Sequence, residues 1–129
     1  MQQTYIDSDD RYSLFYREFE SALRAAGVTL VESPRQATAI FSITFDETAQ
    51  RVLSVSARNV PTEYEVYYTV AYNMHSGATS LLPQQTLTRT RDYTYDSTLV
   101  LGKAHEETAL REAIVADLVR IVMKQISTL

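Results

Sequence analysis

The chain has 129 residues, a formal net charge of -4 at pH 7 and no cysteine. That length suits one domain with a core of its own, so residues 1–129 are expected to form a single unit. The acidic balance argues against a dedicated nucleic-acid binder. The missing thiols exclude disulfides, a cysteine nucleophile and zinc-thiolate ligands. No apolar run approaches the roughly 20 residues that span a bilayer, and Met1-Gln2-Gln3-Thr4-Tyr5 carries no secretion signal.

In chain order, Asp7-Ser8-Asp9-Asp10 has the residue types that open a helix, because carboxylates and a hydroxyl accept from unpaired backbone N–H groups. Phe15, Phe19, Ala22 and Ala26 follow at helical spacing, with Leu14 and Leu23 beside them. Gly27 is the expected left-handed stop. Val28 to Val31 reads as a short strand and Glu32-Ser33-Pro34-Arg35 as a turn. Ala39, Phe41, Ile43 and Phe45 alternate as the buried face of a strand. Asp46 to Gln50 then reads as a turn, with Leu53 and Val55 on a returning strand, so residues 38–57 are expected to form a first hairpin.

Arg58 to Thr62 reads as a loop before a second, longer hairpin over 63–96. There Tyr64, Val66, Tyr68, Val70, Tyr72 and Met74 keep a period of two on one face, and His75-Ser76-Gly77 reverses the chain. Pro83 places the later strand at an edge or a bulge. The period fades from Asp96 to Gly102. A second helix is expected from His105-Glu106-Glu107, with Leu110, Ile114, Leu118, Ile121 and Ile126 as its apolar stripe and Arg120 and Lys124 late in it. Two amphipathic helices and one sheet each need a covered face. The predicted fold is α+β: a two-layer sandwich with both helices on one face of a mainly antiparallel sheet of about four strands.

The tyrosines at 64, 68 and 72 then belong to the packing face. The opposite face, with Glu65, Tyr67, Thr69, Ala71 and Asn73, has the mixed polar and aromatic character of a surface covered by a partner. Glu63 and Glu65 read as solvated charges on that side.

No residue pattern points to catalysis. His75 and His105 stand outside metal-ligand spacings, the acidic cluster at 7–10 lacks a calcium loop's glycine, and no serine lies in a Gly-x-Ser-x-Gly turn. Neither a metal nor a cofactor is implied. The arginines are more informative. No carboxylate occurs between Val66 and Arg91, so Arg89 and Arg91 have no acidic neighbour on their N-terminal side, and Asp92 points to the other strand face. Two readings stay open: both pair with acids on an adjacent element, or they join Arg58 and Lys103 in a small basic cluster for an anionic ligand.

Taken together, Arg58-Asn59, Glu63-Tyr64, the aromatic strand, Arg91-Asp92-Tyr93-Thr94-Tyr95-Asp96, Leu101-Gly102-Lys103 and a terminal helix near Glu106 resemble the LptE (RlpB) family of lipopolysaccharide-assembly lipoproteins in Gram-negative outer membranes. The segment Ala26-Gly27-Val28 extends the likeness towards the start of the chain. The resemblance implies a non-enzymatic plug inside the β-barrel protein LptD, which helps that barrel fold and binds lipopolysaccharide. It carries lipopolysaccharide contact over to Arg58, through a one-residue gap in the loop, and to Lys103; Arg91 is added from its charge setting. It also implies a lipidated cysteine that anchors the protein on the periplasmic side of the outer membrane, which this sequence does not include. An accessory envelope lipoprotein of another transport system is the alternative.

Overall fold

A computed structural model describes residues 3–58, 61–94 and 100–129, with the side chains of 61, 62 and 100–105 outside the described set. Its elements are β1 (Gln3–Ser8), α1 (Leu14–Ala25), β2 (Thr29–Leu30), β3 (Ala39–Val55), β4 (Pro61–Ser76), β5 (Thr79–Thr94) and α2 (Val100–Ser127), with one 3-10 turn at Pro34–Gln36. The sheet among the described residues has five strands in the order β2-β1-β3-β4-β5. β1 runs parallel to β2 and β3, whereas β3, β4 and β5 are antiparallel. The sheet is therefore mixed, and it has one strand more than the expected four.

The additional strand is β1. Residues 3–8 carry no long alternation of their own and become a strand by filling the space between β2 and β3. The chain leaves β1, crosses as α1 and returns as β2, the βαβ arrangement that parallel neighbours require. The acidic cluster is consequently the turn between β1 and α1: Asp10 N–H donates to Ser8 Oγ at 3.2 Å and Tyr12 N–H to Asp10 Oδ1 at 2.9 Å. The helix cap lies later than expected, at Ser13, whose Oγ accepts from Tyr16 N–H at 3.0 Å.

α1 ends as its sequence indicates. Gly27 has φ 84°, its N–H reaches Arg24 O at 3.0 Å, and Val28 N–H reaches Leu23 O at 3.0 Å. These two bonds form a Schellman closure, which Gly enters without a Cβ penalty. Phe15, Phe19 and Leu23 are fully buried, whereas Ala26, expected in the stripe, is the exposed C-cap residue.

Residues 38–57 do not form a hairpin. β3 runs unbroken through 46–50 because β4 is long enough to pair with all of it, from Ile40↔His75 to Val55↔Pro61. The register slips by one residue between Ile43 and Phe45. This bulge at Thr44 moves the following side chains to the other face. Phe45 turns outward at 43% exposure, while Asp46 turns inward under α1. The second hairpin is as read: Gly77 (φ 58°) lies in its turn, and the slip between Tyr72 and Met74 leaves Pro83 and Gln84 as the wide side of a bulge on edge strand β5.

α2 begins at Val100, five residues before the expected start, and both helices lie on the same face of the sheet. Ile114, Leu118 and Val122 are fully buried in it, with Ile126 at its end. An aromatic chain joins the layers: Phe15 to Phe19 at 5.6 Å between ring centroids, Phe19 to Phe41 at 4.4 Å, and Phe41 to Tyr72 at 5.1 Å. Strands of 16 and 17 residues extend about 50 Å. β1 pairs only with residues 39–43 of β3. The sheet is thus wide and helix-packed at one end and narrows to three strands at the other, which carries the β3–β4 connection and the start of α2.

Candidate functional site

The inner face of β4 is the tyrosine stripe, and its hydroxyls fasten the helices. Tyr68 accepts Phe15 N–H at 3.2 Å, at the start of α1, and donates to Asp46 Oδ1 at 2.5 Å. Asp46 also accepts from the Ser13 hydroxyl. The Tyr72 hydroxyl donates to Gln125 of α2, and that of Tyr93 to Glu107 and, at 3.0 Å, to Gln50. Burial is the leading cause that raises the pKa of Tyr68, Tyr72 and Tyr93, reinforced at Tyr68 by Asp46 and at Tyr93 by Glu107. Burial likewise pushes the Asp46 carboxyl above its ordinary value, against the opposing hydrogen bonds from Ser13 and Tyr68. The stripe is core beneath the helices, as read.

The opposite face has no helix over it. Arg51 of β3 lies above the Tyr67 ring at 5.0 Å, and its Nε donates to Glu65 Oε1 at 2.6 Å. Glu65 is therefore an ion-pair partner and not a merely solvated charge. Thr69 and Thr88 share a hydrogen bond at 2.9 Å, and Asn73 donates to Gln84 at 2.8 Å. Phe45 adds an outward aromatic ring. These side chains build a polar, aromatic surface about three strands wide.

Of the three basic residues singled out from the sequence, the side chains of Arg58 and Arg91 are among those described. Arg58 is exposed in the β3–β4 connection, where its backbone N–H donates to Ser56 Oγ at 3.3 Å. Lys103 lies in the first turn of α2, with its side chain outside the described residues, as are Asn59, Tyr95, Asp96 and the side chain of His105. The end of β5 pairs with the start of β4 (Glu63↔Thr94) and the end of β3 pairs there too (Val55↔Pro61), so these three strand ends lie together. Arg91 is opposite Val66, about 10 Å further in than Glu63↔Thr94 by strand rise. Its guanidinium contacts Asp117 of α2 at 2.7 Å, and Asp117 also holds Arg120 at 2.8 Å. Arg89 donates instead to the Thr88 carbonyl at 2.8 Å. Of the two open readings, pairing across elements describes Arg91.

Sequence reasoning missed Asp46, which only the bulge turns inward, and the half-exposed aliphatics of the far end, Val52, Leu53 and Val55. The run from Thr48 to Thr62, without a single acid, was the available signal for the latter. Among the described residues no group of three His, Cys, Asp or Glu is placed to hold a metal ion, and no helix is long and apolar enough to cross a membrane.

Fold and surfaces together define a two-layer α+β domain with an aromatic core beneath the helices and an uncovered sheet face that carries Arg51, Tyr67 and Phe45. The same fold occurs in lipoprotein B from Nitrosomonas europaea, at TM-score 0.83 and 23% identity over 98% of this chain and 82% of that one. It also occurs in rare lipoprotein B from Shewanella oneidensis, at 0.81 and 20% over 98% and 94%, and in a minor lipoprotein from Acinetobacter baumannii, at 0.78 and 20% over 98% and 91%. No curated protein sequence matches the chain. The family model LptE (Lipopolysaccharide-assembly) matches residues 1–126, and the chain belongs to that family.

Proposed function

We propose that this chain is a non-enzymatic plug and chaperone subunit of the outer-membrane lipopolysaccharide translocon, held one-to-one in an LptD β-barrel and anchored by lipid on the periplasmic side. The observation that carries the reading is the family match over nearly the entire chain. The uncovered sheet face supports it, because a plug must present hydrogen-bonding and aromatic groups to a wet barrel lumen. Arg58 and Lys103 are the proposed contacts for the lipid A phosphates, which guanidinium and ammonium groups neutralise through charge-assisted bonds. Arg91 is proposed as a further contact, although it must share its charge with Asp117.

Co-expression with the cognate barrel protein tests the central claim. A stable one-to-one complex is expected, and failure to co-purify sinks it. If the chain co-purifies instead with components of another envelope transporter, the accessory-lipoprotein reading replaces it. The ligand claim is tested separately with the paired variant Arg58→Glu, Lys103→Glu. Lipopolysaccharide binding is expected to weaken while the far-UV circular dichroism spectrum stays unchanged, and unchanged binding removes both residues from the ligand site.

A further inference from the structure

At the edge of the sheet opposite β5, a cavity of about 150 Å³ lies where α1 passes over edge strand β2. From α1 come Tyr16, Glu20 and Arg24, which stand four residues apart and therefore share one side of the helix. From the strand side come β1, β2 and the exit from β2. There Val31 N–H donates to Thr4 O at 2.9 Å and keeps Glu32 beside the cavity. Arg11, in the turn between β1 and α1, completes the polar lining.

The charges of this lining cancel, Arg11 and Arg24 against Glu20 and Glu32. Two of the four are occupied with each other, because Arg24 holds Glu20 at 2.8 Å. Among the described residues neither Arg11 nor Glu32 has an ion pair. They attract one another without direct contact, and the Arg11 guanidinium donates to the Tyr5 hydroxyl. Burial is the leading cause that raises the pKa of Tyr16, so its phenol stays protonated beside the cavity. The cavity therefore offers one open cation, one open anion and two phenols.

From this arrangement we infer a binding site for a small zwitterion, whose oxyanion meets Arg11 beside the Tyr5 hydroxyl and whose ammonium meets Glu32. The open charges select that class. A plain anion meets the carboxylates of Glu20 and Glu32, and a plain cation meets two guanidiniums. A zwitterion instead gives each open charge a charge-assisted partner. A neutral polyol uses neither. Size narrows the choice: the space is that of about five water molecules, which suits a small α-amino acid or an ethanolamine phosphate group and is too little for an acyl chain. Ile6 and Leu30 supply apolar contact for its few carbons. The inference goes beyond the proposed function and uses none of Arg58, Arg91 or Lys103, so failure of either experiment above leaves it standing.

Titration of the isotope-labelled chain, followed through its amide NMR signals, tests the site. L-alanine stands for a free amino acid and phosphoethanolamine for a lipid headgroup. Saturable shifts at Arg11 and Glu32 are expected with at least one of them, and the tighter binder identifies the source. Arg11→Gln and Glu32→Gln are each expected to weaken binding about tenfold, the worth of one charge-assisted bond. The exchanged double variant Arg11→Glu, Glu32→Arg is expected to recover most of that loss, because a zwitterion can bind end for end.

No saturable shift with either zwitterion overturns the inference. Acetate, ethylamine or glucose shifting the same signals as strongly also overturns it, because the site then takes a single charge or none. Loss in both single variants without recovery in the exchanged one does so too, since the two side chains then shape the edge of the sheet and not a ligand site. Arg11 and Glu32 are exposed, and an unchanged far-UV circular dichroism spectrum separates lost binding from lost fold. The wild-type comparison of zwitterions with acetate and ethylamine decides the matter even if a variant fails to fold.

Discussion

The two ends of the molecule use similar side chains for opposite purposes. At the wide end, Phe15, Phe19, Phe41 and Tyr72 stack continuously from helix to sheet and none is more than 2% exposed. At the narrow end, Val52, Leu53 and Val55 are about half exposed. The difference follows from layering. β1, β2 and α1 thicken only the first end, so apolar groups there find partners on every side, whereas the far ribbon adds to its Tyr64–Tyr93 stack polar ties such as Tyr93 to Glu107 and Arg91 to Asp117. A domain built in this way can be stable at one end and available at the other.

Substitutions sharpen that contrast. Phe41→Ala should have the largest effect, about 3–5 kcal/mol of lost stability, because the cavity would open at the centre of the aromatic chain. Urea unfolding followed by circular dichroism reads this, and a loss below about 1 kcal/mol would show that the wide end is not the stabilising core. Asp46→Ala should follow with about 1–3 kcal/mol, since the Ser13 and Tyr68 hydroxyls lose their acceptor beneath α1. Gly27→Ala should cost about 1 kcal/mol from φ alone, because nothing lies within 4 Å of the added methyl group. Val55→Ser should be smallest, within about 0.5 kcal/mol. A loss as large as that of Phe41→Ala would contradict an exposed tip.

The contrast also has a pH signature. The carboxyl of Asp46 titrates above its ordinary 3.8, so the folded state takes up this proton before the unfolded chain does. Its contribution to stability is complete below the unfolded value and is lost as pH rises through the folded value. Asp46→Asn should therefore flatten the part of the stability profile that lies just above pH 3.8, measured by unfolding at a series of pH values. A profile identical to that of the wild type would place the carboxyl in water.

Much of this was legible in the residues. The strict alternation from Tyr64 to Met74 determined which side of β4 is core, because side chains on a strand alternate whatever surrounds them. Gly27 and Gly77 marked a helix end and a turn, since both positions need positive φ.

Other features belong to the tertiary structure. Residues 3–8 are a strand only because β2 and β3 lie on either side, a long-range pairing that no local pattern announces. Asp46 to Gln50 has the composition of a turn but stays extended, because each residue finds a partner on β4. Phe45 and Asp46 exchange faces through one unpaired residue at Thr44. Period alone determines that neighbours alternate; the register of pairing, including a single bulge, decides which of them is inside.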